Sequence, residues 1–304
     1  MTTFSDPPLV CRPALPSDTS DVFEFTGRIW EGRDYIHLVW EEWLADPHGI
    51  LVSAQLGPRV VGIAKVSPVF PGQWWLHGLR VDPEHQGMKI GSRLHEFTNS
   101  WWLTHGDGTI RLLTGTNRVQ VHHLCERTGY TRLAEIITYR RLLTPGGRPT
   151  NAAPAPLDFF QPVTSTEVPA ALEFARQHHR HIGGLMDIGW RFVEPDQASL
   201  TDCVRAARLH WWRGREGLLA TWEDDEDSGP VLGIGLAATR EPGQLEHLLR
   251  DVELLADPMN VQTIFWLAPR EPLVETALEH AGYSTDQDSG VLYVRSHPGS
   301  QMDG

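Results

Sequence analysis

Lysine is almost missing from this chain: Lys65 and Lys89 are the two among 304 residues, against 24 arginines. A lysine is therefore a specific choice in this sequence and not surface filler. Cysteine is also scarce. Cys11, Cys125 and Cys203 are far apart, odd in number and form no Cys-x-x-Cys. That excludes a disulfide framework, argues against a structural zinc site and suits a reducing cytoplasm, the expected location. No apolar run reaches the roughly 18 residues of a membrane span. Met1 to Pro8 lack the basic and apolar regions of a signal peptide. A basic surplus is missing as well, since the net charge is −13. Residues 1–150 hold 15 basic and 15 acidic side chains, and the remainder 11 against 24, so the second half carries the whole excess. A long anionic nucleic acid finds no general attraction. Solubility accounts for the acid surplus, and an amine substrate is compatible with it.

What is present suits two packed domains. The chain is long enough for two units of roughly 150 residues, and 40% hydrophobic residues with twelve Trp supply their cores. In the first half, Val10 to Ala14 read as a strand and Val22 to Ile29 as a short helix. Ile36, Val39, Trp40, Trp43 and Leu44 form an i, i+3, i+4, i+7, i+8 stripe. Strands at Ile50–Gln55 and Val60–Val66 read as a hairpin. A strand at 109–114, a helix at 119–127 and a last strand at 131–143 close the half. Residues 144–160 are a Pro/Gly/Ala-rich linker. The expected domains are residues 1–143 and 161–304.

The stretch from Trp74 to Gly91 organises the first half. It reads as a buried strand to Val81, a tight connection with Gly87 and Gly91, and a helix whose Leu94, Phe97, Trp101 and Trp102 share a face. A helix opening on glycine leaves its first N–H groups facing outward, and such an end favours an anion. The strand, Val81-x-Pro83, Gln86-Gly87-x-x-Ile90-Gly91 and the amphipathic helix together resemble the GCN5-related N-acetyltransferase (GNAT) superfamily. The element order over residues 9–143 is also that family's. Lys89 departs from the pattern, standing where the first signature glycine usually is. A cation there can meet a phosphate, while its side chain restricts the turn that glycine permits.

The resemblance implies a mixed α/β fold, a central sheet flanked by helices, with acetyl-CoA as co-substrate and a small amine as acceptor. It implies backbone contacts to the cofactor from Leu79, Arg80 and Val81. It also implies phosphate contacts from Gln86, Gly87, Met88, Lys89, Ile90, Gly91 and Ser92, and a loop contact from Asn117. Gly32-x-Asp34-Tyr35-Ile36, Trp40, Trp43-Leu44, Asp46-Pro47 and Gly78-Leu79-Arg80-Val81 are similar to a histidine N-acetyltransferase-like branch. Members of that branch act on free amino acids or similar small amines. Asp34 and Tyr35, at a helix entrance, are candidates for lining the acceptor cleft, whereas Trp40 and Trp43 read as core. His77 stands where the family commonly has a carboxylate base, and an imidazole with an ordinary pKa of about 6.5 suits that role at neutral pH. Alternation along a strand puts His77, Leu79 and Val81 on one face. Cys125 aligns with the family's Tyr acid; a packed small residue is the competing reading. A non-catalytic acyl-CoA-binding protein and a peptide or protein acetyltransferase are the competing functions.

The second half reads as a worn copy. Glu173-Phe174 echo Glu24-Phe25, Gly217-Leu-Leu echo Gly49-Ile-Leu, Leu232-Gly-Ile echo Val61-Gly-Ile, and Gly282-Tyr283 echo Gly129-Tyr130. The offsets place a shortening where the first half keeps strand four and the acyl-CoA loop, and predict a copy that keeps the sheet and has lost the cofactor site. His178 to His181 read as a helix end and no metal site is expected. Glu223 to Gly229 read as a hairpin turn, and Trp211-Trp212 as core.

Overall fold

The computed structural model describes residues 8–143, 159–226, 229–256, 259 and 261–301. The linker, apart from its ends, lies outside them. The chain divides into two compact units. Unit 1 takes the residues up to Leu112, Val119–Thr131 and those from Val294 onward; unit 2 takes Leu113–Arg118 and Arg132–Tyr293. The division therefore does not fall at the linker. Each unit is completed by a segment from the other half of the sequence, so the strand expected to end the first domain belongs to unit 2.

Unit 1 is built from β1 (Leu9–Pro13), α1 (Thr19–Thr26), α2 (Ile36–Ala45), β2 (Ile50–Leu56), β3 (Arg59–Phe70), β4 (Gln73–Val81), α3 (Ile90–His105), the first part of β5 (Thr109–Gly115) and α4 (Val119–Arg127). Strands β1 to β4 are antiparallel neighbours, and β5 joins β4 in parallel. Tight turns at Gly57 (φ +60°) and Gly72 (φ +69°) make the two hairpins, a conformation open to glycine at no steric cost. The α2 stripe buries Ile36, Trp40 and Trp43 against Val22, Phe25, Leu51, Val60 and Ile63. In α3 the buried positions are Ile90, Leu94, His95, Thr98, Asn99 and Trp102. That face is half polar, and its groups are paired: His95 Nε2 lies 2.8 Å from Thr128 Oγ1, and Tyr130 donates to Asn99 Oδ1 at 2.9 Å. Phe97 and Trp101, expected on this face, are half-buried at its margin.

Unit 2 repeats the plan with β6 (Thr131–Leu142), β7 (Phe160–Pro162), α5 (Val168–His178), β8 (Met186–Asp187), β9 (Phe192–Val193), α6 (Gln197–Arg205), β10 (Leu209–Trp212), β11 (Gly217–Glu226), β12 (Gly229–Thr239), α7 (Leu245–Asp251), α8 (Glu253–Ala256), β13 (Thr263–Pro269), α9 (Pro272–His280) and β14 (Ser284–Ser296), whose last residues count with unit 1. Its strand order runs β14-β6-β13-β12-β11-β10-β7. Strands β7, β10, β11, β12 and β13 thus correspond to β1 to β5, down to the parallel pair at the end. The shortening does not remove strand four. Strand β12 is that strand, and the echoes of Gly49 and Val61 in Gly217 and Leu232 are one strand out of step. The short repeats around Gly49, Val61 and Gly217 carry too little information to fix a register. Trp211 and Trp212 are core, 3% and 1% exposed.

Candidate functional site

Strand β4 carries the local irregularity on which the site is built. Gly62 pairs with Val81 and Ile63 with Arg80, but the next pair is Lys65 with His77. Two residues of β4, Gly78 and Leu79, therefore face the single Ala64, which makes a β-bulge. Gly78 sits at φ +65°, and a Cβ there would come within 2.5 Å of Trp43 Cζ3. Both the backbone conformation and the ring beneath demand glycine. The bulge resets the alternation, because cross-strand partners share a face and Ile63 and Lys65 lie two residues apart. His77 and Arg80 consequently share one face, and the simple alternation that grouped His77 with Leu79 and Val81 fails. The parallel ladder to β5 covers Gln73 to Trp75 and stops there, six residues before β4 ends.

The His77 imidazole packs edge-on to Trp43, centroids 4.7 Å apart, and its Nε2 lies 3.1 Å from Ser67 Oγ. Trp43 in turn meets Tyr35, at 6.1 Å. Arg80 donates from Nε to Asp34 Oδ2 (2.7 Å), from Nη2 to Asp34 Oδ1 (3.3 Å) and from Nη1 to the Leu79 carbonyl (3.2 Å). Its guanidinium lies 4.3 Å from the Trp30 ring centroid and 5.4 Å from that of Tyr35. The wall from Trp30 through Arg80, Tyr35 and Trp43 to His77 is thus continuous. Asp34 is buried behind it, and the expected substrate residues Asp34 and Tyr35 are both members. Burial pushes the Tyr35 phenol above its ordinary pKa, with Arg80 pulling the other way. Sequence reasoning missed the Trp30 and Ser67 side chains and gave Arg80 a backbone role only. The acid at Asp34 and the base at Arg80 are 46 positions apart, and no periodicity links them.

Behind the wall, Lys65 is fully buried with its ammonium on Asp46 Oδ2 and near the Trp43 carbonyl. Burial lowers the Lys65 pKa, and the Asp46 hydrogen bond opposes that shift. The pair ties β3 to the C-terminal end of α2, where Trp43 is carried.

The loop after β4 begins with Asp82, which accepts from the Glu84 N–H at 3.1 Å and pairs with Arg28 at 2.9 Å. Gln86 to Lys89 are exposed. Gly87 (φ +83°) has open space where a Cβ would stand. Lys89 itself adopts φ +61°, so it occupies the left-handed conformation that glycine usually supplies, immediately before α3. No side chain caps that helix end, and Gly91 and Ser92 lie in its first turn. Gly62 lets α3 approach β3: a Cβ there would be 3.0 Å from both Ile90 and Leu94.

Two predicted residues stand elsewhere. Cys125 is fully buried in α4, and burial, with Glu126 adding to it, pushes its thiol up to about 12. That burial favours the packed reading of Cys125 over the acid. Asn117 is exposed in the turn after β5 and counts with unit 2.

Unit 2 keeps the β4-type bulge. Ala220 pairs with Leu236 and Thr221 with Ile234, which leaves Gly235 as the extra residue, 157 positions after Gly78. There the space is filled by backbone: a Cβ on Gly235 would be 2.3 Å from the Asp187 carbonyl oxygen of β8. The connection that follows, Arg240 to Gln244, has no Gln-Gly-x-Lys run and leads into the seven-residue α7. His178 ends α5, His179 Nε2 donates to the Leu185 carbonyl at 2.7 Å, and His181 pairs with Glu271.

Residues 18–130 match the model of the acetyltransferase (GNAT) family. No curated protein matches the chain by sequence. Among solved structures, the chain is similar to a GCN5-related N-acetyltransferase from Sphaerobacter thermophilus, with 16% identity, TM-score 0.61, and 95% of this chain and 96% of that one covered. It is also similar to a tandem GNAT protein from the clavulanic acid biosynthesis pathway, at 13% identity and TM-score 0.58 over 94% and 98% of the two chains. A glucosamine N-acetyltransferase region of a fungal multi-domain β-N-acetylglucosaminidase superposes with TM-score 0.65 at 14% identity, over 96% of this chain and 38% of that one. Likeness at these identities concerns the fold alone. Among the described residues no helix is long and apolar enough to cross a membrane.

Proposed function

We propose that unit 1, whose residues 18–130 match the model of the acetyltransferase (GNAT) family, transfers an acetyl group from acetyl-CoA to the amine of a small molecule. The observation that carries this reading is the bulge at Gly78. It sets His77 and Arg80 on one face of β4, a few residues before the loop that opens α3. Acetyl-CoA supplies the activated acyl group as a thioester. The uncapped first turn of α3, with Gly91 and Ser92, suits its pyrophosphate, and the exposed Lys89 ammonium suits a phosphate oxygen. Gln86, Gly87, Met88 and Ile90 complete that cradle. Backbone groups of Leu79, Arg80 and Val81 suit the acyl carbonyl and the amides behind it, since the parallel ladder to β5 ends at Trp75, before these residues.

His77 is the proposed base. It takes a proton from the acceptor ammonium directly or through a water, with Trp43 and Ser67 fixing the ring. The freed nitrogen then attacks the thioester carbonyl and forms the amide bond, and the CoA sulfur leaves with the electron pair of the broken C–S bond. The second amine proton ends on that thiolate by way of solvent. With Cys125 sealed in the core, that thiolate leaves without help from the thiol. Unit 2 keeps the bulge but not the loop, and its Gly235 faces the Asp187 carbonyl, which supports a non-binding, structural copy.

The reading is tested by following thiolate release from acetyl-CoA with a panel of small amines, amino acids and short peptides. Release that depends on the amine, matched by N-acetyl product, is expected for the small acceptors. Tight acetyl-CoA binding without amine-dependent release makes the protein an acyl-CoA binder, and release with peptides alone makes it a peptide acetyltransferase.

A further inference from the structure

Resting on that reading, we propose that Arg80 recognises a carboxylate on the acceptor, so that the substrate carries a carboxylate as well as the amine to be acetylated. Asp34 positions Arg80, and Trp30 and Tyr35 flank it.

The donor count of Arg80 points this way. A guanidinium has five N–H groups. Asp34 accepts from Nε and from Nη2, and the Leu79 carbonyl accepts from Nη1. One N–H on each terminal nitrogen remains, and Arg80 also hydrogen-bonds the Tyr35 phenol. One remaining N–H and the Tyr35 O–H together therefore offer two donors to the two oxygens of a carboxylate. The phenol, raised above its ordinary pKa, stays protonated and can donate. Burial settles the sign of the charge on offer. The Asp34 side chain is 1% exposed and that of Arg80 13% exposed, so the cleft meets the guanidinium and not its counter-ion. The wall residues other than Asp34 include no acid, and Glu31 of the adjacent turn pairs with Arg33 at 3.4 Å.

The backbone supplies a second, independent observation. Trp30 (φ +50°), Glu31 (φ +59°) and Gly32 (φ +84°) form a left-handed turn before α2. Side chains resist this conformation, and such strain collects at functional sites. Unit 2 has the same turn at Ile182 (φ +55°), Gly183 (φ +62°) and Gly184 (φ +80°), with glycine at two of the three places. There Ile182 is buried in the core, whereas Trp30 is 48% exposed with its ring over Arg80. Unit 1 thus holds a large aromatic outward in a strained turn where its copy tucks an aliphatic residue in. A ring in that place restricts the guanidinium to one plane and walls the approach of a flat ligand.

A purely structural ion pair makes a different forecast. It would alter stability, and activity with every acceptor alike, but not selectivity. The test is kcat/KM for matched acceptors that differ by the carboxylate: phenylalanine and phenethylamine, tyrosine and tyramine, lysine and cadaverine. The wild type should favour the acid of each pair by about 10- to 100-fold, the scale of hydrogen bonds to a charged group. Arg80→Lys should retain part of that ratio. Because Arg80→Met alone leaves Asp34 buried without its partner, Arg80→Met is combined with Asp34→Leu to remove both charges. In that double variant, confirmed folded by its cooperative melt, the ratio should fall to about one. Equal use of acid and decarboxylated amine by the wild type, or an unchanged ratio in the variants, overturns the inference and leaves acetyl transfer standing. Failure to acetylate any amine overturns both.

Discussion

Replacing Gly78 by alanine should disturb stability and chemistry together. Two terms act. At φ +65° an alanine is held in the left-handed region, which costs about 1 kcal/mol. The added methyl would also lie 2.5 Å from Trp43 Cζ3 and 2.6 Å from Cη2, closer than carbon atoms approach. Trp43 cannot withdraw freely, being 7% exposed and packed on His77 and Tyr35. Overpacking of this kind costs about 1–3 kcal/mol. Gly78→Ala should therefore lose about 2–4 kcal/mol in urea denaturation, and turnover should fall because the ring that moves is the one seating His77. Trp43→Leu removes the obstruction. In the cycle of Gly78→Ala, Trp43→Leu and the double variant, the overpacking term should appear as a coupling of about 1–3 kcal/mol, since only that term needs both residues. A Gly78→Ala protein within about 0.5 kcal/mol of wild type, or a cycle without coupling, would refute the bulge as the organiser of the site.

Lys89→Ala should weaken acetyl-CoA binding by about 1–2 kcal/mol through loss of a charge-assisted contact. Lys89→Gly should weaken it similarly while raising stability by about 1 kcal/mol, because the left-handed φ of +61° then costs nothing; unchanged affinity in both would mean that the ammonium stays in solvent. His77→Ala should lower turnover by about 10²–10⁴-fold and abolish the ascending limb of the pH profile, and full activity with the same limb would make His77 a packing residue. Burial, with Arg295 and Arg127 adding repulsion, holds the His95 imidazole at about 4 against an ordinary 6.5. The unfolded chain thus takes up this proton first as pH falls, so the contribution of neutral His95 is complete above about pH 6.5 and declines by about 1.4 kcal/mol per unit down to about 4. Denaturation curves of wild type and His95→Gln between those pH values should differ in slope by that amount; parallel slopes would contradict it.

Much of unit 1 was legible because local signals agree there. The α2 stripe, the Gly57 turn and the Val81-x-Pro83 to Gly91 run each specify their own element. What was hidden depends on tertiary partners. The bulge at Gly78 reverses the facing of Arg80, and nothing in Leu-His-Gly-Leu-Arg distinguishes a bulged strand from a regular one. The buried His95, Thr98 and Asn99 read as an exposed face until their partners Thr128 and Tyr130 are brought against them. Trp30 looks like any surface tryptophan until a left-handed turn sets it over Arg80. In the second half, Gly235 was the residue that would have fixed the register, but β12 also holds Gly229 and Gly233, and nothing in the sequence singles out the bulged one. The exchange of Arg132–Leu142 into unit 2 leaves no sequence trace, since a final strand is equally apolar in either sheet.

The account stands on one acyl-CoA site per chain, held by the α3 loop of unit 1. Calorimetric titration of acetyl-CoA into the full chain and into the Lys89→Ala variant tests this most directly. One site per chain, weakened in the variant, is the predicted result. Two equivalent sites, or a single site indifferent to Lys89, would contradict it.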